Sequence, residues 1–314
     1  MRNDSELGWV PGGRPSGTED AGRLATFEQY RGRLFSIAYR MLGSVADAED
    51  ILQKAFIRWQ QAANDEIRSP RGLLVTMVAR LCINHLESAR VRREQYVGEW
   101  LPEPLVTDPK SDPSQVLGID ESLSMAFLVL LERLTPSERA VFLLREIFEY
   151  EYSELATILE QTEANCRQIL RRARQHVAEA RPRFRASPEE RHNLLERFLQ
   201  ATSRGDMDGL VDLLASDVVL HSDGGGKALA VPNLISGAHK VARGILGSLK
   251  KLVPHNLLIR IAMINGQPGI VSYLDSKPYS VLTLDTRDGR IRAIYVLTNP
   301  EKLAHLAKLP PAPC

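Results

Sequence analysis

Residues 218–230 read VVLHSDGGGKALA, and two kinds of chemistry are conceivable there. The first is phosphate binding, because three glycines precede Lys227. A phosphate loop needs G-x-x-x-x-G-K followed by Ser or Thr, so that backbone N–H groups wrap the phosphates and the hydroxyl holds magnesium. Ala228 follows the lysine here, and position 221, five residues before Gly226, is His. The spacing excludes that cradle and leaves a glycine turn after a strand, open to close approach by another segment. The second is acid/base catalysis, for which His221 and Asp223 beside the strand end are the best-placed pair; a histidine at a strand end is more often structural. Cys82, Cys166 and Cys314 are far apart and lack metal-ligand spacing, so no metal site is expected, and no cofactor.

The elements that must position these residues divide the chain into three units. Its 314 residues suffice for two or three cores, and 44% hydrophobic with 25% charged residues is a soluble globular composition. No apolar run approaches the ~18 residues of a membrane span, and residues 1–23 mix charge with Gly and Pro as a disordered leader does. A cytoplasmic protein without membrane contact is expected. The net charge of +1 conceals a basic cluster, Arg167, Arg171, Arg172, Arg174, Arg181, Arg183 and Arg185, opposed within 163–185 only by Glu163 and Glu179. Arg90, Arg92 and Arg93 form a second. Such clusters are usually solvated helix faces, and matter to nucleic acid only if the fold presents them.

Helical spacing over 24–95 (Leu34, Ile37, Ala38, Met41; then Ile51, Leu52, Ala55, Phe56, Trp59) predicts an all-α unit, with GSVADAED supplying a break, a cap and acids for the next helix start. A connector, 96–116, holds prolines 102, 104, 109 and 113, which preclude a continuous helix. In the second unit, 117–183, Thr135, Pro136 and Glu138 form a capping box. After it come a short helix, a tight turn and a longer helix from about Thr162. That last helix turns Cys166, Ile169, Leu170, Ala173 and Val177 inward, leaving Asn165, Gln168, Arg171, Arg172 and Gln175 outside. A helix-turn-helix with a recognition helix and an ordinary charged hairpin both fit. The third unit, 188–298, runs from helices to a meander of strands turning at Asn265-Gly266 and Asp288-Gly289, an α+β domain. Residues 299–314 form a tail.

Several motifs together resemble one family. YRMLGSVADAEDILQKAFIRW is similar to region 2 of extracytoplasmic-function RNA polymerase sigma factors, and residues 135–180 to their region 4. WLPEP (100–104), DGGGK (223–227) and NPEKL (299–303) resemble the signatures of the subgroup carrying a fused C-terminal SnoaL-like domain. The resemblance, covering about 24–303, implies a multidomain chain: two all-α sigma domains, a region 2 helical bundle and a region 4 helix-turn-helix, followed by an α+β SnoaL-like (nuclear-transport-factor-2-like) cone. It implies a non-enzymatic factor that recruits core RNA polymerase to promoter DNA, with its fused domain as internal regulator. Asp47, Glu49, Asp50, Gln53, Phe56 and Trp59 fall in the segment that docks on the clamp helices of the polymerase large subunit, region 4 being served by the flap; Phe56 and Trp59 are equally well read as core. Asn84, His85, Arg90, Arg92 and Arg93 fall where the −10 element is engaged, although Glu87 and Leu73 depart from the family pattern. Asn165, Arg167, Gln168, Arg171 and Arg172 fall on the −35 reader. Trp100, Leu101, Pro102, Glu103 and Pro104 are expected to meet Asp223, Gly224, Gly225, Gly226 and Lys227, with Asn299 and Pro300 as an added latch and Lys227 facing Glu103. A small-molecule ligand of the cone is a further expected partner. The alternative is a SnoaL-like enzyme or sensor fused to a DNA-binding module.

Overall fold

The computed structural model describes residues 17–63, 69–93, 96–107, 123–178, 187–228, 230–231, 233–251, 254 and 256–307. Its first unit is three helices, α1 (Gly17–Leu42), α2 (Val45–Gln61) and α3 (Pro70–Arg93). Gly43, at φ 67°, ends α1 in the left-handed region, and Ser44 caps α2 by accepting from Asp47 N. Ala48, Ile51, Leu52, Ala55 and Trp59 form the buried stripe of α2. After the connector, which contributes the two-residue strand β1 (Val106–Thr107), the second unit comprises α4 (Met125–Leu131), α5 (Pro136–Glu146), α6 (Tyr152–Leu159) and α7 (Glu163–Ala178). The expected capping box of Thr135 and Glu138 is present with Pro136 at the helix start. Glu160, left-handed at φ 53°, makes the tight turn after α6.

The two helical units share one core. Phe35, Leu74 and Val78 of the first lie in the same cluster as Phe142, Leu155 and Ile158 of the second, and α5 and α6 pack on α1 and α3. Arginines reach main-chain oxygens across the seam: Arg33 to Phe148 O (3.0 Å), Arg80 to Ile158 O (2.8 Å) and Thr157 O (2.9 Å), and Arg139 to Met41 O (2.6 Å). Sequence periodicity separates the units because it reports each helix's apolar stripe and not the helix it meets.

The third unit begins with α8 (Pro188–Arg204) and α9 (Met207–Leu213), capped by Ser187 and Asp206. β2 (Leu214–Asp223), β3 (Ile235–Ser236), α10 (Ala238–Lys251), β4 (Leu258–Ile264), β5 (Gln267–Leu274), β6 (Lys277–Arg287), β7 (Arg290–Leu297) and α11 (Pro300–Leu303) follow. The sheet order is β1-β4-β5-β6-β7-β2-β3. β4 to β7 form the expected antiparallel meander, β2 pairs parallel to β7, and β1 adds the connector to the β4 edge with Val106 opposite Ile264. One face packs Leu220, Ile270, Leu284 and Ile294 against Leu195, Phe198 and Val241 of the helices. The other packs Val271, Tyr273, Val281 and Leu297 against Leu101 of the connector, Met125 of α4, and Leu303 and Leu306 of the tail. With α8, α9 and α10 on one face of a mixed sheet, the third unit has the α+β build that the motifs imply. Among the described residues no helix is long and apolar enough to cross a membrane.

Candidate functional site

The three short motifs meet at the carboxylate of Asp223. At the end of β2 it is fully buried, and four donors converge on it: Tyr96 Oη (2.6 Å), Gly225 N (3.0 Å), Leu101 N (2.8 Å) and Lys302 Nζ (2.7 Å). Its main-chain oxygen accepts from Thr298 N and Asn299 N. Burial, then the hydrogen bond to Asp223, pushes the Tyr96 hydroxyl above its ordinary range, so it stays protonated and donates. Asn299 Nδ2 donates to the same Tyr96 oxygen at 2.8 Å. Lys302 also donates to Leu101 O at 2.5 Å and lies over the Trp100 ring, 4.1 Å from its centroid. The glycines serve close approach: a Cβ on Gly226 would stand 3.1 Å from Val97, and one on Gly225 would run into Asn299.

One expectation is corrected here. Lys227 pairs with exposed Glu301 and does not face Glu103. Glu103 instead turns toward the first unit, where its carboxylate accepts from Val45 N (2.7 Å), Ala46 N (3.3 Å) and Ser44 Oγ (3.0 Å) at the start of α2. Free N–H groups and the helix dipole hold an anion better there than an exposed lysine does. His221 and Asp223 are placed as structural residues. Both oxygens of Asp223 are committed to donors, while His221 holds Glu99 at 2.6 Å and stacks on Tyr295 at 4.8 Å, so neither forms an acid/base pair facing a pocket.

The residues expected at partner surfaces divide by exposure. On α2, Asp50 and Gln53 are exposed, Asp47 and Glu49 half-buried, and Glu49 pairs with Arg31 at 2.6 Å. Phe56 packs edge-on to Phe27 and helps line a hollow of about 320 Å³ between α1 and α2, with Leu24, Glu49, Asp50 and Gln53. Trp59 is 2% exposed and donates its indole N–H to Arg23 O. It is core and offers no face to a partner: α2 places it in the buried stripe with Ala48, Ile51, Leu52 and Ala55. On α3, Asn84 is exposed and His85 lies 3.5 Å from Asp47; the side chains of Arg90, Arg92 and Arg93 lie outside the described residues.

On α7 the inward stripe is as expected, and Arg167, Gln168, Arg171 and Arg172 are exposed. Asn165 bonds locally to Gln161, and Arg167 pairs with Glu163 and lies over Tyr152. Tyr152, Arg167, Arg171, Arg174 and Gln175 line a second, basic hollow of about 310 Å³. Sequence reasoning assigned no site role to Tyr96, Lys302, Tyr39, Asn265 or Glu99. Lys302 carried a signal as the cation inside the NPEKL motif, Asn265 only as a turn residue, and Tyr39 only as the first residue of the YRMLG stretch.

Comparison with known proteins gives matches to both helical units. The family Sigma-70 region 2 matches residues 26–92, and Sigma-70, region 4 matches 124–177. The ECF RNA polymerase sigma factor SigJ of Mycobacterium tuberculosis is 37% identical over 290 residues, spanning 89% of this chain and 92% of that protein. Its probable ECF sigma factor SigI is 32% identical over 282 residues, covering 89% and 94%. The crystal structure of SigJ superposes with a TM-score of 0.75 at 34% identity, over 90% of this chain and 98% of that one. With the identity and the superposition extending over nine-tenths of the chain, the chain belongs to the extracytoplasmic-function sigma factors, alternative factors that bind core RNA polymerase and direct initiation at promoters, and is not an enzyme.

Proposed function

We propose that this sigma factor is held in check by its own C-terminal domain, which fixes the connector between the two DNA-reading units. The observation that carries the reading is the double anchoring of WLPEP. Leu101 N bonds to Asp223 Oδ2 of the cone at 2.8 Å, and Glu103 N bonds to Gly43 O between α1 and α2 at 2.8 Å. Units that read −10 and −35 elements together must take up a promoter-defined separation, and a pinned connector opposes any change in their packing.

In this reading the polymerase clamp helices dock along Asp50, Gln53 and the Phe56 side of the α1–α2 hollow, with Asp47 and Glu49 adding acidic potential for a basic partner. Region 4 meets the flap, Asn84 and His85 with Arg90, Arg92 and Arg93 engage the −10 strand, and Gln168, Arg171 and Arg172 lead at the −35 element with Asn165 and Arg167 beside them. Trp100 to Pro104, Asp223 to Lys227, and Asn299 with Pro300 form the control contact. The factor works in the cytoplasm with the polymerase. Control is assigned to these contacts, with a small-molecule ligand of the cone as a further partner.

In vitro transcription with purified core polymerase and a library of upstream regions tests this. A defined promoter class should emerge, and Trp100→Ala should raise output from it. No promoter-dependent transcript from wild type or variant overturns the reading.

A further inference from the structure

The tip of the β4–β5 hairpin carries a side chain that the turn does not explain. Asn265 at φ 52° and Gly266 at φ 73° have the backbone of a tight two-residue turn, which accounts for an asparagine followed by a glycine. It does not account for burial, since hairpin tips ordinarily face water, yet Asn265 is 1% exposed. Its Nδ2 donates to Tyr39 Oη of α1 at 2.7 Å, its Oδ1 accepts from Leu105 N at 3.1 Å, and its own N–H donates to Leu105 O at 2.8 Å. Tyr39 is itself fully buried and donates to Glu103 O at 2.6 Å. Burial pushes its hydroxyl above the ordinary range, so the proton it donates is retained.

We propose that Asn265 is a positioning residue for the start of α2: with Tyr39 and the main chain of Leu105 it holds the Glu103 carboxylate on that helix's N-terminus. The first N–H groups of a helix lack partners within it. Here Val45 N and Ala46 N find theirs in Glu103, and Asp47 N in Ser44 Oγ, itself bonded to Glu103. A cap that comes from a connector 57–59 residues away in sequence makes the order of the first turn of α2 depend on where that connector lies. Asn265 fixes the place. It lies outside WLPEP, DGGGK and NPEKL, at the opposite end of β4 and β5 from their free ends, so it is an anchor separate from Asp223.

The consequence for polymerase rests on the reading above, that α2 presents Glu49, Asp50 and Gln53 to the core enzyme. A well-ordered first turn presents them in one arrangement, and a frayed one does not.

The test is amide hydrogen exchange on the full-length protein together with its affinity for core polymerase. Asn265→Ala and the milder Tyr39→Phe should accelerate exchange at residues 45–47 by about three- to tenfold, the usual consequence of losing a helix cap, and leave α7 amides unchanged. Glu103→Gln, which keeps an acceptor oxygen, should fall between wild type and Glu103→Ala. Polymerase affinity should fall by a similar factor in Asn265→Ala. Unchanged exchange at 45–47, or equal acceleration across the whole chain, overturns the positioning role. If Asp50→Lys weakens polymerase binding and Asn265→Ala does not, the link from Asn265 to docking is overturned. If Asp50→Lys itself has no effect while residues 45–47 respond to Asn265→Ala, the docking reading fails and the positioning role stands.

Discussion

Lys302 Nζ lies 2.7 Å from Asp223 Oδ2, with the lysine side chain 9% exposed and the aspartate fully buried. Taking two charges out of water is costly, and the pair is tolerable only because Tyr96, Gly225, Leu101 N and Leu101 O supply the remaining bonds. Removing one partner strands the other. Lys302→Ala is therefore expected to destabilise the contact between tail, connector and cone by about 3–5 kcal/mol, the usual cost of breaking a buried pair. The Lys227–Glu301 pair, 51% and 67% exposed, should contribute only about 0–1 kcal/mol, so Lys227→Ala should be nearly silent. Urea titrations of both variants, with limited proteolysis of the 96–107 segment, check the contrast; equal effects would contradict it.

Gly225 is at φ 58° and touches Asn299 and Tyr96 so closely that an added Cβ would stand 3.0 Å from Tyr96 Oη and nearer still to Asn299 Nδ2. Both the backbone conformation and the space disfavour any side chain. Gly225→Ala is expected to break the Asn299–Tyr96 bond and to raise transcription from a cognate promoter more than Lys227→Ala does, with Gly225→Trp stronger again. Transcription by Gly225→Trp at the wild-type level would show that this loop does not restrain the connector.

Much of the local structure was legible in the chain. Thr135-Pro136-Ser137-Glu138 announces its capping box, Cys166 to Val177 announces the inward stripe of α7, and Asn265-Gly266 announces a turn, because each rests on bonds or spacing within a few residues. The meeting of the three motifs was legible too, but not its chemistry. Tyr96 and Asp223 are 127 residues apart, and no periodicity records which of two nearby charges a distant carboxylate will choose. Lys227 looked like the charge of the loop, yet the buried cation is Lys302, while Glu103 went to a helix start because unpaired N–H groups waited there. Trp59 shows the same limit: an aromatic on an acidic helix reads as a docking ridge or as core, and only the position of Arg23 and α1 decides.

At the recognition helix, Arg171 and Gln168 are exposed one turn apart, whereas Arg167 is occupied by Glu163 and Tyr152. Arg171→Ala is expected to lower promoter affinity by about 1–3 kcal/mol if the guanidinium reads a base with two bonds, with relaxed preference at one position. A phosphate contact would instead weaken all sequences alike and flatten the salt dependence by about one unit of slope. Binding measured on cognate and scrambled duplexes over a salt series separates the two. Unaltered affinity and slope would move the −35 contact off this face.

Asp285 supplies a pH test of the cone. It is half-buried on β6, and loss of hydration raises its pKa, only partly opposed by Arg191, Arg292 and Arg287. A carboxyl whose folded pKa is raised binds its proton more tightly folded than unfolded, so the charged form costs stability above the folded pKa. As pH falls through the raised value toward the ordinary 3.8, that cost is relieved. Below 3.8 both states are protonated and the group contributes nothing. Asp285→Asn, which keeps the size and removes the charge, is therefore expected to raise the Tm of the protein at neutral pH. The gain should shrink as the pH is lowered across that window. Scanning calorimetry of wild type and variant at neutral and mildly acidic pH checks it. A variant less stable than wild type at neutral pH would show that the three arginines outweigh burial and hold the carboxylate in a favourable ion cluster.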